Sequence, residues 1–148
     1  MWGGSTVQYD SKIVDGNLTV YAQVGNETTE SSIKSDSIQV VQPVGLTSIT
    51  LAEGKDSFAG YTVPVSFEIS QGTPTHYRLA ETSAGLASAA WEAWKDNIVY
   101  EFTTSGAKTL YGQLKNEVSE SSVGSDSVTL TEPPVIILLA NIPSAGNV

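Results

Sequence analysis

The chain has no cysteine, so neither a disulfide framework nor a thiolate metal site is open to it, and the redox compartment is left undetermined. Histidine occurs once, at His76, with no serine or cysteine relay partner recognisable in the sequence. Basic residues are scarce. Seven Lys and Arg face sixteen Asp and Glu, for a formal net charge of −9. That balance argues against nucleic-acid binding, which needs Lys and Arg against phosphate; it suits solubility. Long apolar runs are missing too: Val135–Ala140 is far too short to cross a bilayer, so no membrane insertion is expected. The opening MWGGSTVQYD has neither a basic stretch nor an apolar stretch of the secretory-signal kind. Either the chain was cut from a longer export product or it never used that route. There is no Gly-rich phosphate loop, zinc-ligand spacing or His-Glu motif. No catalytic residue, cofactor site or metal site is therefore assigned, and the chain is expected not to be an enzyme.

What is present is a self-match. Leu18–Val40, LTVYAQVGNETTESSIKSDSIQV, returns 90 positions later as Lys108–Leu130, KTLYGQLKNEVSESSVGSDSVTL. Tyr21/Tyr111, Gln23/Gln113, Asn26/Asn116, Glu27/Glu117, Glu30/Glu120 and Asp36/Asp126 are among the identities. Many differences exchange one apolar residue for another, as at Val20/Leu110, Val24/Leu114, Ile38/Val128 and Val40/Leu130. Self-similarity at a fixed spacing predicts a repeat architecture.

The full unit lies between the copies. Leu46–Leu51 predicts a short apolar strand, and Glu53–Ser57 a turn. In Gly60–Ile69, Tyr61, Val63, Val65, Phe67 and Ile69 alternate on one face, the period of a half-buried strand. Pro64 cannot donate to a ladder, so one side of that strand should be unpaired there. Thr75–Glu81 predicts a third strand with Tyr77 and Leu79 inward. Over 81–95, Leu86, Ala90, Trp91 and Trp94 have helical spacing and predict a helical turn or two. Ile98, Tyr100 and Phe102 alternate again. Lys108–Lys115 turns Leu110, Gly112 and Leu114 inward and Tyr111 and Gln113 outward. Asn116–Ser122 is the hairpin loop, and Ser125–Leu130 places Val128 and Leu130 inward. Six or seven short strands separated by turns predict a β-sandwich, with Val63, Val65, Phe67, Leu79, Tyr100, Leu110, Leu114 and Val128 in its core.

Residues 1–41 hold only the second half of such a unit, led in by Trp2, Val7 and Tyr9. Residues 42–132 hold a complete one, joined through Gln42-Pro43-Val44-Gly45. Residues 133–148 start like a third: Glu132-Pro133 stands where Gln42-Pro43 stood, so Val135–Leu139 is expected to be a first strand.

The run from Leu110 through Asn116 and Glu120-Ser121 to Ser125–Leu130 resembles the last hairpin of fibronectin type III domains, with Ser119 where that family usually has Gly. With THYRLAE at 75–81, the Trp91/Trp94 pair and KTLYGQLKNEVSESS at 108–122, the longer pattern is similar to the tandem Ig-like repeats of bacterial surface and phage fibre proteins. The resemblance covers residues 45–130 and, in half, 1–41. It implies an all-β fold, an Ig-like or fibronectin type III-like β-sandwich with one full repeat and a partial N-terminal one. It also implies a spacer, adhesive or accessory role outside the cell, on a cell surface or on a virion.

Few side chains invite a ligand. Asn26, Glu27, Glu30 and Asp36, with Asn116, Glu117, Glu120 and Asp126, could offer oxygens to calcium, but the EF-hand spacing is absent. The simpler reading has Asn and Ser bonding the local backbone of a turn. Trp91 and Trp94 either close the sandwich core or, one helical turn apart on one face, form a sugar platform. Tyr111 and Gln113 belong to a contact surface or pack on the linker. The expected role is a structural or adhesive module of a tandem array; the alternative is a carbohydrate-binding module of a polysaccharide-acting protein. Its partners would be other copies or neighbouring repeats, met through the N-terminal half-repeat, and a cell-surface glycan or protein. Val20, Ala22, Val24, Ile38 and Val40 would otherwise form an exposed apolar patch.

Overall fold

The computed structural model describes residues 15–137. The expected lead-in residues Trp2, Val7 and Tyr9, and Leu138 and Leu139 of the expected last strand, lie outside that range.

Ten strands follow one another: β1 (Gly16–Ala22), β2 (Lys34–Val40), β3 (Gly45–Leu51), β4 (Ser57–Ala59), β5 (Thr62–Gln71), β6 (His76–Ala80), β7 (Glu92–Ala93), β8 (Val99–Glu101), β9 (Gly106–Lys115) and β10 (Gly124–Thr131). One short helix, α1 (Ser83–Ser88), sits between β6 and β7. β1 and β2 form a hairpin of their own. The rest forms two sheets, β3-β5-β8 and β4-β10-β9-β6-β7. The fold is all-β, as expected, and the unit has eight strands where six or seven were expected. The extra pairings are short. β4 runs parallel to β10 directly after the expected turn Glu53–Ser57, meeting it only at Ser57, and β7 is a two-residue edge.

Period-two alternation places the core between the sheets. Val63 and Val65 of β5, Tyr77 of β6, Leu110 and Leu114 of β9, and Val128 and Leu130 of β10 are buried there. Ile49 and Leu51 of β3 join them, with Ile98 and Phe102 on either side of β8. The expected core residues Phe67, Leu79 and Tyr100 are only partly buried and pack against this cluster. Pro64 behaves as its chemistry requires. The Val65 amide donates to the Ile98 carbonyl on the β8 side. The neighbouring nitrogen therefore faces β3, whose last pair is Leu51 with Val65. No ladder donor is needed there.

The helix differs from expectation. Only Ser83–Ser88 coils, with the Thr82 hydroxyl accepting from the Gly85 amide as an N-cap and Leu86 alone buried. Ala90–Trp94 is not helical, and Glu92–Ala93 within it pairs with β6 as β7. The local reason is the Trp94 amide, which donates to the Thr75 carbonyl at 2.9 Å and draws this stretch onto the sheet. A second difference is at 132–137, which form no strand, with Val135 to Ile137 exposed.

The two hairpins share one register and most of their bonds. Thr19 pairs with Ser37 as Thr109 pairs with Ser127, and both hydroxyl pairs are 2.8 Å apart. The Gln23 and Gln113 amides each donate to a serine carbonyl, Ser31 and Ser121, at 2.8 Å. Asn26 Oδ1 accepts from the Thr28 and Thr29 amides, and Asn116 Oδ1 from those of Val118 and Ser119. This is an Asx turn, in which the side chain supplies the turn's acceptor. Ser119, standing where Gly is usual in the resembling family, closes the same turn by donating its amide.

Candidate functional site

Strand register gathers three of the four sequence candidates on one surface. Arg78 of β6 pairs with Gln113 of β9, Ala80 with Tyr111, and His76 with Lys115. Alternation puts all six on the face turned away from the core, since Tyr77 and Leu114 between them are buried. Trp91, next to β7, lies beside Arg78.

Trp91 and Trp94 part company. Three residues apart in an extended segment, they point to opposite sides. Trp94 packs into the aromatic cluster of Phe67 and Tyr77, with ring centroids 6.0 and 6.4 Å away. Trp91 stays outside. The expectation of one shared face thus fails with the helix that would have created it, and only Trp94 closes the core.

The outer face is already densely bonded. Arg78 Nε and a terminal nitrogen donate to Gln113 Oε1 at 3.0 and 2.6 Å, and its other terminal nitrogen donates to the Ala87 carbonyl. Glu120 stands 3.7 Å from the guanidinium. The Arg78 carbon lies 4.4 Å from the Trp91 ring centroid, and Lys115 Nζ lies 4.7 Å from the same ring. Such cation–π contacts are each worth about 0.5–1 kcal/mol at an exposed site. Gln113, expected to face solvent, is buried under Arg78. A ligand approaching Trp91 would have to displace a cation from its ring. Sequence reasoning had no role for Arg78 and Lys115; the signal was their rarity in so acidic a chain.

Two phenols around this end are perturbed. Burial of the Tyr77 ring, and next its hydrogen bond to Glu92 Oε2 at 2.7 Å, hold its hydroxyl above the usual value. Burial does the same for Tyr100, seconded by the Glu81 carboxylate.

The oxygens of Asn26, Asn116, Asp36 and Asp126 are engaged with backbone. Beyond the Asx turns, Asp36 and Asp126 each accept from the following serine amide. Asp126 also accepts from the Leu51 amide at 2.8 Å, which ties β10 to the facing sheet. Among the described residues no group of three or more His, Asp or Glu is placed to hold a metal ion. His76 Nδ1 lies 3.0 Å from the Thr75 hydroxyl and has no carboxylate or serine relay there. The hollows beside Trp94 and Ile98, of about 200 and 280 Å³, fall below the usual range of small-molecule sites, roughly 300–1,000 Å³. Among the described residues, no helix is long and apolar enough to cross a membrane. No family model matches this chain, and no curated protein matches it.

Proposed function

We propose that the chain is a non-enzymatic structural or adhesive module of a tandem Ig-like array, of the fibronectin type III-like kind, carried on a bacterial surface or a phage fibre. The observation behind this reading is the recurrence of one hairpin, in the same register, 90 residues along a single chain. Supporting it, the chain crosses repeatedly between a three-stranded and a larger sheet, as Greek-key sandwiches do. Asn26, Asn116, Asp36 and Asp126, whose oxygens could face a cation, are engaged in turns and strand ties. A rigid, acidic, heavily hydrogen-bonded unit suits a spacer exposed to solvent.

One observation favours a second reading, a carbohydrate-binding accessory module. Trp91, Tyr111 and Gln113 share the outer face of the larger sheet. The two readings separate in a glycan-array and polysaccharide-degradation assay on the whole chain. The structural or adhesive reading expects no cleavage and no retention that depends on Trp91. Glycan retention abolished by Trp91→Ala would replace it with the second reading, and cleavage would overturn both.

A further inference from the structure

The inward residues of the second hairpin are sealed, whereas their counterparts on the first stand in solvent. Leu110, Leu114 and Val128 are 0, 0 and 3% exposed; Val20, Val24 and Ile38, at the same places, are 37, 71 and 63% exposed. What seals the second hairpin is the facing sheet β3-β5-β8, and the part of that cover that follows directly on the first hairpin is the segment 42–51. It packs across the hairpin and is pinned by hydrogen bonds at four points. Asn116 Nδ2 donates to the Gln42 carbonyl, and the Val44 amide donates to Ser119 Oγ. The Ser122 hydroxyl donates to the Leu46 carbonyl, and the Leu51 amide donates to Asp126 Oδ2. The first hairpin carries Asn26, Thr29, Ser32 and Asp36 at those points, and none has such a partner among the described residues. At its tip, Val24, Gly25, Asn26, Thr29, Glu30 and Ser31 line an open hollow of about 480 Å³. The matching place on the second hairpin is where Gln42–Val44 lies.

We infer that the first hairpin receives an extended strand from a second copy of this chain, residues 132–137 taking the place that 42–47 take on the second hairpin. The inference rests on the repeat reading above. Two observations select this occupant. Glu132-Pro133 follows Gln42-Pro43 at the repeat spacing, which sets Ile136 on the place of Leu46. Val135, Ile136 and Ile137 form a bare apolar stretch, 76–85% exposed, whereas 42–51 of every copy is already used within its own sandwich. An exposed apolar stretch and an uncovered apolar sheet face are both removed from water when one packs across the other.

The seat differs in detail. Ile49 and Leu46 press on Gly112 and Gly124, where a Cβ would come within 2.8 and 3.1 Å of them. The first hairpin has Ala22 and Lys34 there. The incoming strand therefore sits slightly further out, with the Lys34 stem along its edge and the ammonium in water. Pro134 brings no amide to Thr29, whose hydroxyl already donates to Asn26 Oδ1. The Glu132 carbonyl remains available to Asn26 Nδ2.

Sedimentation velocity of the whole chain tests this, with near-UV circular dichroism confirming that each variant folds. Association should rise with concentration. Ile136→Asp and Val24→Asp should each weaken it by about tenfold or more, since a charge would enter an apolar contact, and Ile136→Val should retain it. A chain that stays monomeric, or association indifferent to Ile136→Asp, overturns the proposal. A synthetic peptide of residues 42–51 then separates the causes by amide exchange. Protection of the Val24 and Ile38 amides by the peptide would leave the repeat reading standing with a different occupant. No protection would remove both.

Discussion

Paired residues of the two hairpins act as internal controls for one another. Asn26 and Asn116 make the same turn, but Asn116 is buried and its amide also holds the Gln42 carbonyl. Asn116→Ala should therefore cost about 1–3 kcal/mol, the penalty for stranding buried partners, and Asn26→Ala should leave sandwich stability nearly unchanged. Urea denaturation followed by tryptophan fluorescence reads both. The tryptophans give a similar contrast. Trp94 lies among Phe67 and Tyr77, so Trp94→Ala should approach the roughly 3–5 kcal/mol of large aromatic truncations. Trp91→Ala loses mainly cation–π contacts, about 1–2 kcal/mol for the pair; the helical reading would have given both residues the larger cost. Tyr77 and Tyr100 impose a pH dependence. A phenol kept neutral in the folded chain contributes stability that is fully present below its unfolded value of about 10. That stability is lost as pH rises through the higher folded value. The urea midpoint should thus fall above pH 10, and Tyr77→Phe should flatten the fall. An unchanged profile in Tyr77→Phe would show that the hydroxyl does not titrate with unfolding.

At the scale of elements, close approach explains where the two hairpins had to diverge. Ile49 and Phe67 cross so near Gly112 that an added Cβ would lie 2.8 Å from each. Gly112→Ala should cost about 1–3 kcal/mol, as overpacking does, although Ala22 occupies the same place in the first hairpin. Calorimetry of the variant checks it; no change would mean that the sheets separate freely. The strands β3, β5, β6, β9 and β10 were legible in the sequence because each buries one face, and burial writes a period of two. The stretch 90–94 around Trp91 was not. Its Leu, Ala and Trp spacing fits a helix, and the deciding bond, from the Trp94 amide to the Thr75 carbonyl, is a long-range tie that no local pattern carries. β4 escaped notice for a related reason. Ser57–Ala59 is three residues long, too short to show a period of two, and it is a strand only because β10 runs beside it. Of the candidate outer face, Tyr111 and Gln113 were visible through alternation. Arg78 and Lys115 were not, since a lone cation in a strand says nothing about which ring it covers.

At the scale of the molecule, the first hairpin is set on the sandwich through a small joint. Asp15 accepts from the Gln42 amide with one carboxylate oxygen and from the Thr73 hydroxyl, at 2.9 Å, with the other. It thereby ties the start of β1 to both the linker and the β5–β6 turn. Gly72 in that turn has φ of +65°, and an added Cβ would lie 2.6 Å from the Pro43 carbonyl oxygen. A bare glycine is needed there because the linker backbone lies directly against the turn. The joint is therefore stiffened by three backbone segments held by one exposed carboxylate. Asp15→Ala should barely alter sandwich unfolding, by less than about 1 kcal/mol, because its bonds are solvent-exposed. It should instead free the orientation of the hairpin. The absence of cysteine makes the measurement direct: spin labels on Thr28→Cys and Thr103→Cys, both at exposed positions, report the distance between hairpin tip and sandwich in dilute solution. The distribution should be narrow with Asp15 present and broaden with alanine in its place. Equal widths would place the control of orientation in Pro43 and the packing of Gly72 rather than in the carboxylate, and Gly72→Ala would then be the variant that moves the hairpin.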